Sequence, residues 1–286
     1  MRANPNSFEV QHYGCWALCS IADNSDNKPL IAKAGGIEAI VGAMRSQLAK
    51  PEVQHRGSWA LMNISINTAA SPNQDLLVAK AGGIEAVLAG MRSHPGHSDT
   101  QYYGCRAIAN IAFHPDNKVT MIKQGAHESV IAAMRSNLNN SDIQHYGMWA
   151  LCSLCDNMDN KTTVAKAGGV DVVVMGMKAH PNNQDVQQWG CRVLNNMAYT
   201  SDNQSLVAKA GGIPAVIAAL RAFPNSPEVQ HQGTWALETI GWTHDNIRKQ
   251  IINAGAPELA RKALAAHPSH DGVQKKAKDM LKKLGL

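Results

Sequence analysis

The sequence predicts an all-α chain organised as a helical solenoid, and three observations predict it. A block close to VQxxGxWAL begins at Val10, Val53, Thr100, Ile143, Val186 and Val229, at spacings of 43, 47, 43, 43 and 43 residues, with a worn seventh copy at Val273. Repeats of such a period bury their apolar faces only by stacking on one another. The Gly of each AGG-type segment lies 18 residues before the next block start in every copy. Aromatic residues make up 5% of the chain and apolar residues 44%, so the interior must be Ala, Val, Ile, Leu and Met, as suits thin helical layers. No composition break interrupts the array, and residues 1–286 read as one domain. It holds a partial first repeat at 8–24, then repeats at about 25–67, 72–114, 115–157, 158–200 and 201–243, and a capping repeat at 244–286.

Each repeat reads as a short, a medium and a long helix. The short helix follows an Asx pair (Asp26-Asn27, Asp116-Asn117, Asp159-Asn160, Asp202-Asn203, Asp245-Asn246) expected to cap its free amides. It ends at the Gly of AGG, which tolerates a left-handed turn. The medium helix follows, with Ile37, Ile40, Val41 and Met44 at helical spacing and with Glu38 and Arg45 complementing its dipole. In the long third helix, counted from Val10, Gly14, Ala17, Leu18 and Ile21 fall at +4, +7, +8 and +11, within an arc of about 100°. That is a core stripe. The mid-helix Gly recurs at Gly57, Gly104, Gly147, Gly190 and Gly233. Gly inside a helix costs about 1 kcal/mol against Ala, so its recurrence points to close helix packing.

A second row lies on the opposite side of the third helix, roughly 145° from the centre of the stripe. It comprises His12, Trp16 and Ser20, then His55, Trp59 and Asn63, then Tyr102, Arg106 and Asn110. It continues with His145, Trp149 and Ser153, then Gln188, Arg192 and Asn196, then His231, Trp235 and Thr239. Indoles and guanidiniums sharing one face are the stuff of binding hot spots. The competing expectation is that each Trp packs on the neighbouring repeat, and an indole with one exposed edge satisfies both. A further row at +3 (Tyr13, Arg56, Tyr103, Tyr146, Trp189, Gln232) is expected to widen the aromatic strip. Lys275, Lys276, Asp279, Lys282 and Lys283 take this face in the last copy, where a charged helix solubilises the end of an array.

These residues resemble the armadillo repeat family, whose third helix follows a pattern near VQxxAxWALxNIA. PEVQHRGSWALMNIS (51–65) and AGGIPAVIAALRA (210–222) carry the likeness, which extends over about residues 8–284. The resemblance implies a right-handed superhelical solenoid of three-helix repeats and a non-enzymatic scaffold that binds extended peptides in a concave groove lined by the third helices. It also implies that an Asn four residues after each Trp holds the peptide backbone while the indoles form slots for its side chains. That pair is complete at Trp59 and Asn63; Asn110 and Asn196 follow Arg106 and Arg192, and Trp16, Trp149 and Trp235 lack the Asn. Importin-α-like capture of a basic peptide needs an unbroken ladder with acidic residues near it. This face carries Arg and His with Glu238 as its lone acid, which favours a mixed or acidic peptide.

Other classes are disfavoured. The Lys and Arg residues ending the first and second helices could form basic stripes, but cations at helix C-termini are ordinary dipole partners, and a net charge of +5 does not mark a nucleic-acid binder. Repeat-related histidines should sit about 10 Å apart, too far for one metal ion. No Walker loop, dinucleotide fingerprint, HExxH or nucleophile elbow appears, so no enzyme, cofactor or metal is expected. All six cysteines fall in the third helix and read as buried free thiols of a reducing compartment. The start MRANPNSFEV lacks an apolar signal core and no stretch nears a membrane span, so the expected location is the cytoplasm, with the nucleus as the alternative. The functional expectation is an interaction scaffold for an extended peptide or disordered segment. The alternative is a self-assembling or spacer module, associating through the partial first repeat, which lacks first and second helices of its own.

Overall fold

A computed structural model describes residues 1–69 and 71–286. They divide into two compact units, Met1–Asn137 and Leu138–Leu286. The first holds α1 (Phe8–Ile21), α2 (Asn27–Lys33), α3 (Gly36–Ser46), α4 (Pro51–Ser65), α5 (Gln74–Lys80), α6 (Gly83–Ser93), α7 (Ser98–Ile111), α8 (Pro115–Lys123) and α9 (Ala126–Ser136). The second holds α10 (Ser141–Leu154), α11 (Met158–Val164), α12 (Val170–Ala179), α13 (Gln184–Met197), α14 (Ser201–Lys209) and α15 (Gly212–Ala222). It closes with α16 (Pro227–Ile240), α17 (Asp245–Asn253), α18 (Ala256–Ala266) and α19 (Asp271–Lys283). No single helix among the described residues is long and apolar enough to cross a membrane.

Third helices form the spine of each unit: α4 packs between α1 and α7, and α13 and α16 lie in the series from α10 to α19. The first helix of each repeat ends where Gly35, Gly82, Gly125, Gly168, Gly211 or Gly255 takes φ between +73° and +93°, the turn that needs no Cβ. Ile37, Ile40, Val41 and Met44 of α3 are buried, as their spacing demands. The mid-helix glycines admit a side chain from the second helix of their own repeat. A Cβ on Gly57 would lie 2.4 Å from Met44 Cγ, and one on Gly190 would lie 2.5 Å from Met177 Cγ.

The Gln of each VQ pair is the polar lock of the repeat. Gln54 Nε2 donates to the carbonyls of Met44 (2.8 Å) and Gln47 (3.0 Å), and Gln187 Nε2 donates to those of Met177 (2.7 Å) and His180 (2.9 Å). Gln101, Gln230 and Gln274 repeat the arrangement. Helix C-termini leave carbonyls without intrahelical partners, and here a buried amide satisfies one from the side and adds a second bond to another, which also accepts a backbone N–H.

Three expectations are corrected. The Asn of the Asx pair does not cap its own helix: Asn27, Asn117, Asn160 and Asn203 each donate Nδ2 to the last turn of the preceding third helix, at Ile21, Ile111, Leu154 and Met197 O. A side-chain amide N–H is a donor, and the local shortage at a helix end is of donors. In α1 the stripe is not core, since Ala17 and Ile21 are exposed and the buried face is Gln11, Cys15 and Cys19, which α4 covers. The partial repeat is also less bare than expected. Gln11 donates to Met1 O (3.0 Å) and Asn4 O (2.8 Å), the Met1 side chain lies against Gly14, and Arg2 reaches Gly35 O (3.1 Å). Met1–Asn4 thus stands where the end of a second helix stands elsewhere.

All six thiols are free and buried, five within third helices and Cys155 as the residue after α10. Burial raises each, pushing Cys15, Cys105 and Cys191 up to about 12, so none is a poised nucleophile.

Candidate functional site

In the first unit, the helices α1, α4 and α7 present one continuous column of rings and cations. Tyr13 stacks on Trp16 at 6.3 Å. The Arg56 guanidinium lies 4.5 Å from the Trp16 ring and 5.3 Å from the Trp59 ring. Trp59 stacks on Tyr103 at 4.8 Å and 17°, and His55 stacks on both, at 6.3 and 5.1 Å. Arg106 then lies 6.0 Å from Tyr103 and 5.3 Å from Tyr102, donating Nη1 to the Tyr102 hydroxyl at 3.1 Å. His12 meets Tyr13 edge-on at 5.0 Å.

The second unit carries similar stacks of rings and cations on its own helices, in two groups. Trp149 of α10 stacks on Trp189 of α13 at 5.6 Å, and Arg192 covers Trp189 at 4.9 Å. His145 lies 6.2 Å from Trp189. On α16, His231 stacks on Trp235 at 5.8 Å, and Lys276 of α19 sits 4.6 Å over that indole. Lys276 also pairs with Glu238 at 3.0 Å, a carboxylate that is 7% exposed.

A simple rule organises these stacks. At four junctions the +3 side chain of a third helix enters beside the +6 side chain of the preceding one: Arg56 beside Trp16, Tyr103 beside Trp59, Trp189 beside Trp149, Lys276 beside Trp235. This corrects the expectation that the +3 row merely widens the strip. It intercalates, because adjacent third helices are offset along their axes. The slots beside these four indoles are therefore filled by the chain itself.

The indoles stay out of the core, as expected. Trp16 is 43% exposed, and Trp59, Trp149 and Trp235 are half-buried. Arg192 is exposed, while Arg106, His12, His55, Tyr102, His145 and His231 are half-buried on the same faces.

The asparagines behave differently. Asn63 is 8% exposed, and its Nδ2 donates to Cys19 O (3.3 Å) and to Asp23 Oδ1 (2.7 Å). Asn110 donates to Met62 O and Asn196 to Cys152 Sγ at 3.2 Å, while Thr239 donates to Asn195 Oδ1 at 2.6 Å. In every case the +10 residue reaches the +9 residue of the preceding third helix. Asn63 thus spends its amide N–H groups inside the chain, while Asn110, Asn196 and Thr239 each add one bond between repeats. Asp23 is accordingly a second acid beside the face, which a reading confined to the third helices missed. The basic residues ending second helices are also committed between repeats, with Arg92 Nη2 donating to Gln124 O (2.6 Å) and Arg221 Nη2 to Ala254 O (3.0 Å).

Burial makes some of these histidines acid-sensitive. Burial first, and then the charges of Arg56, His97 and His12, push His55 down to about 4, with Asp99 opposing. Burial likewise lowers His231, and His127 on α9 away from this face. Unfolded histidines titrate near 6.5, so below that pH the unfolded chain binds more protons than the folded one. Stability contributed by neutral His55 is complete above about pH 6.5 and is lost as pH falls towards 4. The urea midpoint is expected to drop between pH 7.5 and 4.5, and His55→Gln to flatten that slope.

The LRRK2 ARM repeat family matches residues 115–233. An engineered protein of known crystal structure is similar over 87% of this chain and 96% of its own, at 25% identity and a TM-score of 0.75. A second engineered protein is similar over 96% of this chain and 75% of its own, at 24% identity and a TM-score of 0.67. A designed armadillo repeat protein solved in complex with the peptide (KR)4 is similar over 87% of this chain and 99% of its own, at 19% identity and a TM-score of 0.72. No curated protein matches the sequence.

Proposed function

We propose that the chain, which has the armadillo solenoid fold and matches an armadillo repeat family over residues 115–233, is an interaction scaffold whose third-helix faces bind an extended peptide or disordered segment. One observation carries the reading. In each unit, aromatic rings and cations stack on third-helix faces outside the core, where they are half-buried or exposed. Rigid aromatic area of this kind supplies binding energy at small entropic cost, and the regular rungs set a register for a chain laid across them. A designed protein of the same fold holds a peptide, which supports the mode in general.

Replacing Trp59 and Trp149 by Ala is expected to weaken capture of library peptides by about tenfold or more while far-UV helicity is retained. Binding unchanged in the folded double variant would remove these faces from consideration.

A second reading is self-association through the first unit's end face. Leu18, Leu30, Ile31, Ala34 and Ala39 line a shallow apolar groove there, and Leu30 is 63% exposed. An apolar patch open to water favours contact with protein. Sedimentation across a hundredfold concentration range should then show a concentration-dependent mass that Leu30→Glu abolishes; a constant monomer mass would discard it.

A further inference from the structure

The stacks in both units are lined with cations belonging to the chain. Arg56 occupies the slot between Trp16 and Trp59, Arg192 covers Trp189, Lys276 covers Trp235, and Lys283 covers Trp242 at 3.9 Å. Trp149 is stacked by Trp189. A cation held over an aromatic face uses up the attraction that the ring's negative face could offer an incoming Lys or Arg. It also adds like charge at the place where that side chain would have to sit. Basic peptides therefore meet occupied slots and repulsion.

Arg56 shows what such a face offers instead. Among the described residues no carboxylate forms an ion pair with its guanidinium, and its Nε is buried without a hydrogen-bond partner. A guanidinium stacked between rings keeps its terminal Nη pair for a planar acceptor and is pre-organised for a bidentate carboxylate. Arg106 continues the same column past Tyr103. Two acids lie close by. Asp23 accepts the amide of Asn63, and Asp99 acts on His55 and Tyr103, so neither is a counter-ion stacked in the column.

Resting on the peptide reading above, we infer that this face selects acidic segments, with carboxylate side chains anchored in the first unit by Arg56 and Arg106, and rejects basic ones. Arg56 is then both the plug of the indole slot and the anchor for the ligand. The helix-packing distance of about 10 Å and the strand rise of about 3.3 Å per residue place two such carboxylates about three residues apart in an extended ligand.

The test measures fluorescence anisotropy of labelled (ED)4, (KR)4 and (GS)4 peptides with the full chain at two salt concentrations, alongside Arg56→Leu, Arg56→Ala and Arg56→Lys. The wild type is expected to bind (ED)4 at least about tenfold more tightly than (KR)4, with an affinity that falls as salt rises. Arg56→Leu, which keeps the slot filled, should lose about tenfold for (ED)4. Arg56→Ala, which opens it, should lose (ED)4 binding and gain (KR)4 binding. Arg56→Lys keeps the charge without the fork, and it decides the point if the other variants fail to unfold cooperatively: an unchanged (ED)4 affinity removes the bidentate anchor. A wild type that binds (KR)4 as well as (ED)4 overturns the charge selection and leaves the peptide reading intact. A wild type that binds none of the three, nor any library peptide, overturns the peptide reading itself.

Discussion

Gln187→Leu is expected to destabilise the second unit by about 2 kcal/mol, because it strips the buried Met177 carbonyl of its donor and takes one of two donors from that of His180. Gln187 is 2% exposed, and its Nε2 is bonded to Met177 O and His180 O at the end of α12. Leucine matches the volume closely, so the packing against α12 is nearly preserved and the loss is electrostatic. An unsatisfied buried acceptor costs about 1 to 3 kcal/mol, and one is created, since His180 O keeps the Asn183 N–H at 3.1 Å. Water cannot repair it without opening the contact between α12 and α13. Urea unfolding followed by circular dichroism reads the total, and hydrogen exchange should show the loss concentrated at the end of α12 and the start of α13. A change below about 0.5 kcal/mol would mean that the Gln is merely tolerated.

Leu194→Ala should cost somewhat more, about 3 kcal/mol, by a different route. Leu194 is fully buried at the +8 position of α13, a helix that packs against α10, α12, α15 and α16. Truncating a buried Leu forfeits its transfer free energy and leaves a cavity that close-packed neighbours fill only in part. With Val186, Val193 and Met197 also fully buried on the helix, no large aromatic is at hand to swing into the gap. The same urea measurement checks it, and the two substitutions separate polar locking from apolar filling at one helix. A loss near 1 kcal/mol would show that the layers collapse around the missing atoms.

Most of the architecture was legible because it rests on two periodicities, the 43-residue repeat and the helical stripe. Gly35 and its equivalents were recognised because a left-handed turn has few alternatives to Gly. The Gln of each VQ pair was not, although it stands at Gln11, Gln54, Gln101, Gln144, Gln187, Gln230 and Gln274. A stripe analysis counts apolar positions, and a buried polar side chain at a constant position is invisible to it. Its very constancy was the available signal. The row of Trp16, Trp59, Trp149 and Trp235 could be placed off the core from one helix alone. What those rings touch could not, because a single helical wheel holds no information on how the next helix is shifted. Arg56 is the clearest case, since it shares the angular neighbourhood of the indoles while its partners belong to two different repeats. The Asx pairs were misread for a related reason: the chemistry of capping was right, but the helix end being served was the preceding one.

The two kinds of polar contact differ in reach. Each Gln lock closes within one repeat, as Gln187 does on α12, whereas each rung is shared by two, as Trp149 and Trp189 share theirs. Recombination that removes or duplicates a whole period would therefore leave every lock whole and yet deal new neighbours across the seam. Losing residues 158–200, for instance, would bring Gln232 to Trp149 in place of Trp189. Such a lineage could revise what it recognises by shuffling intact modules, without first passing through an unfolded ancestor.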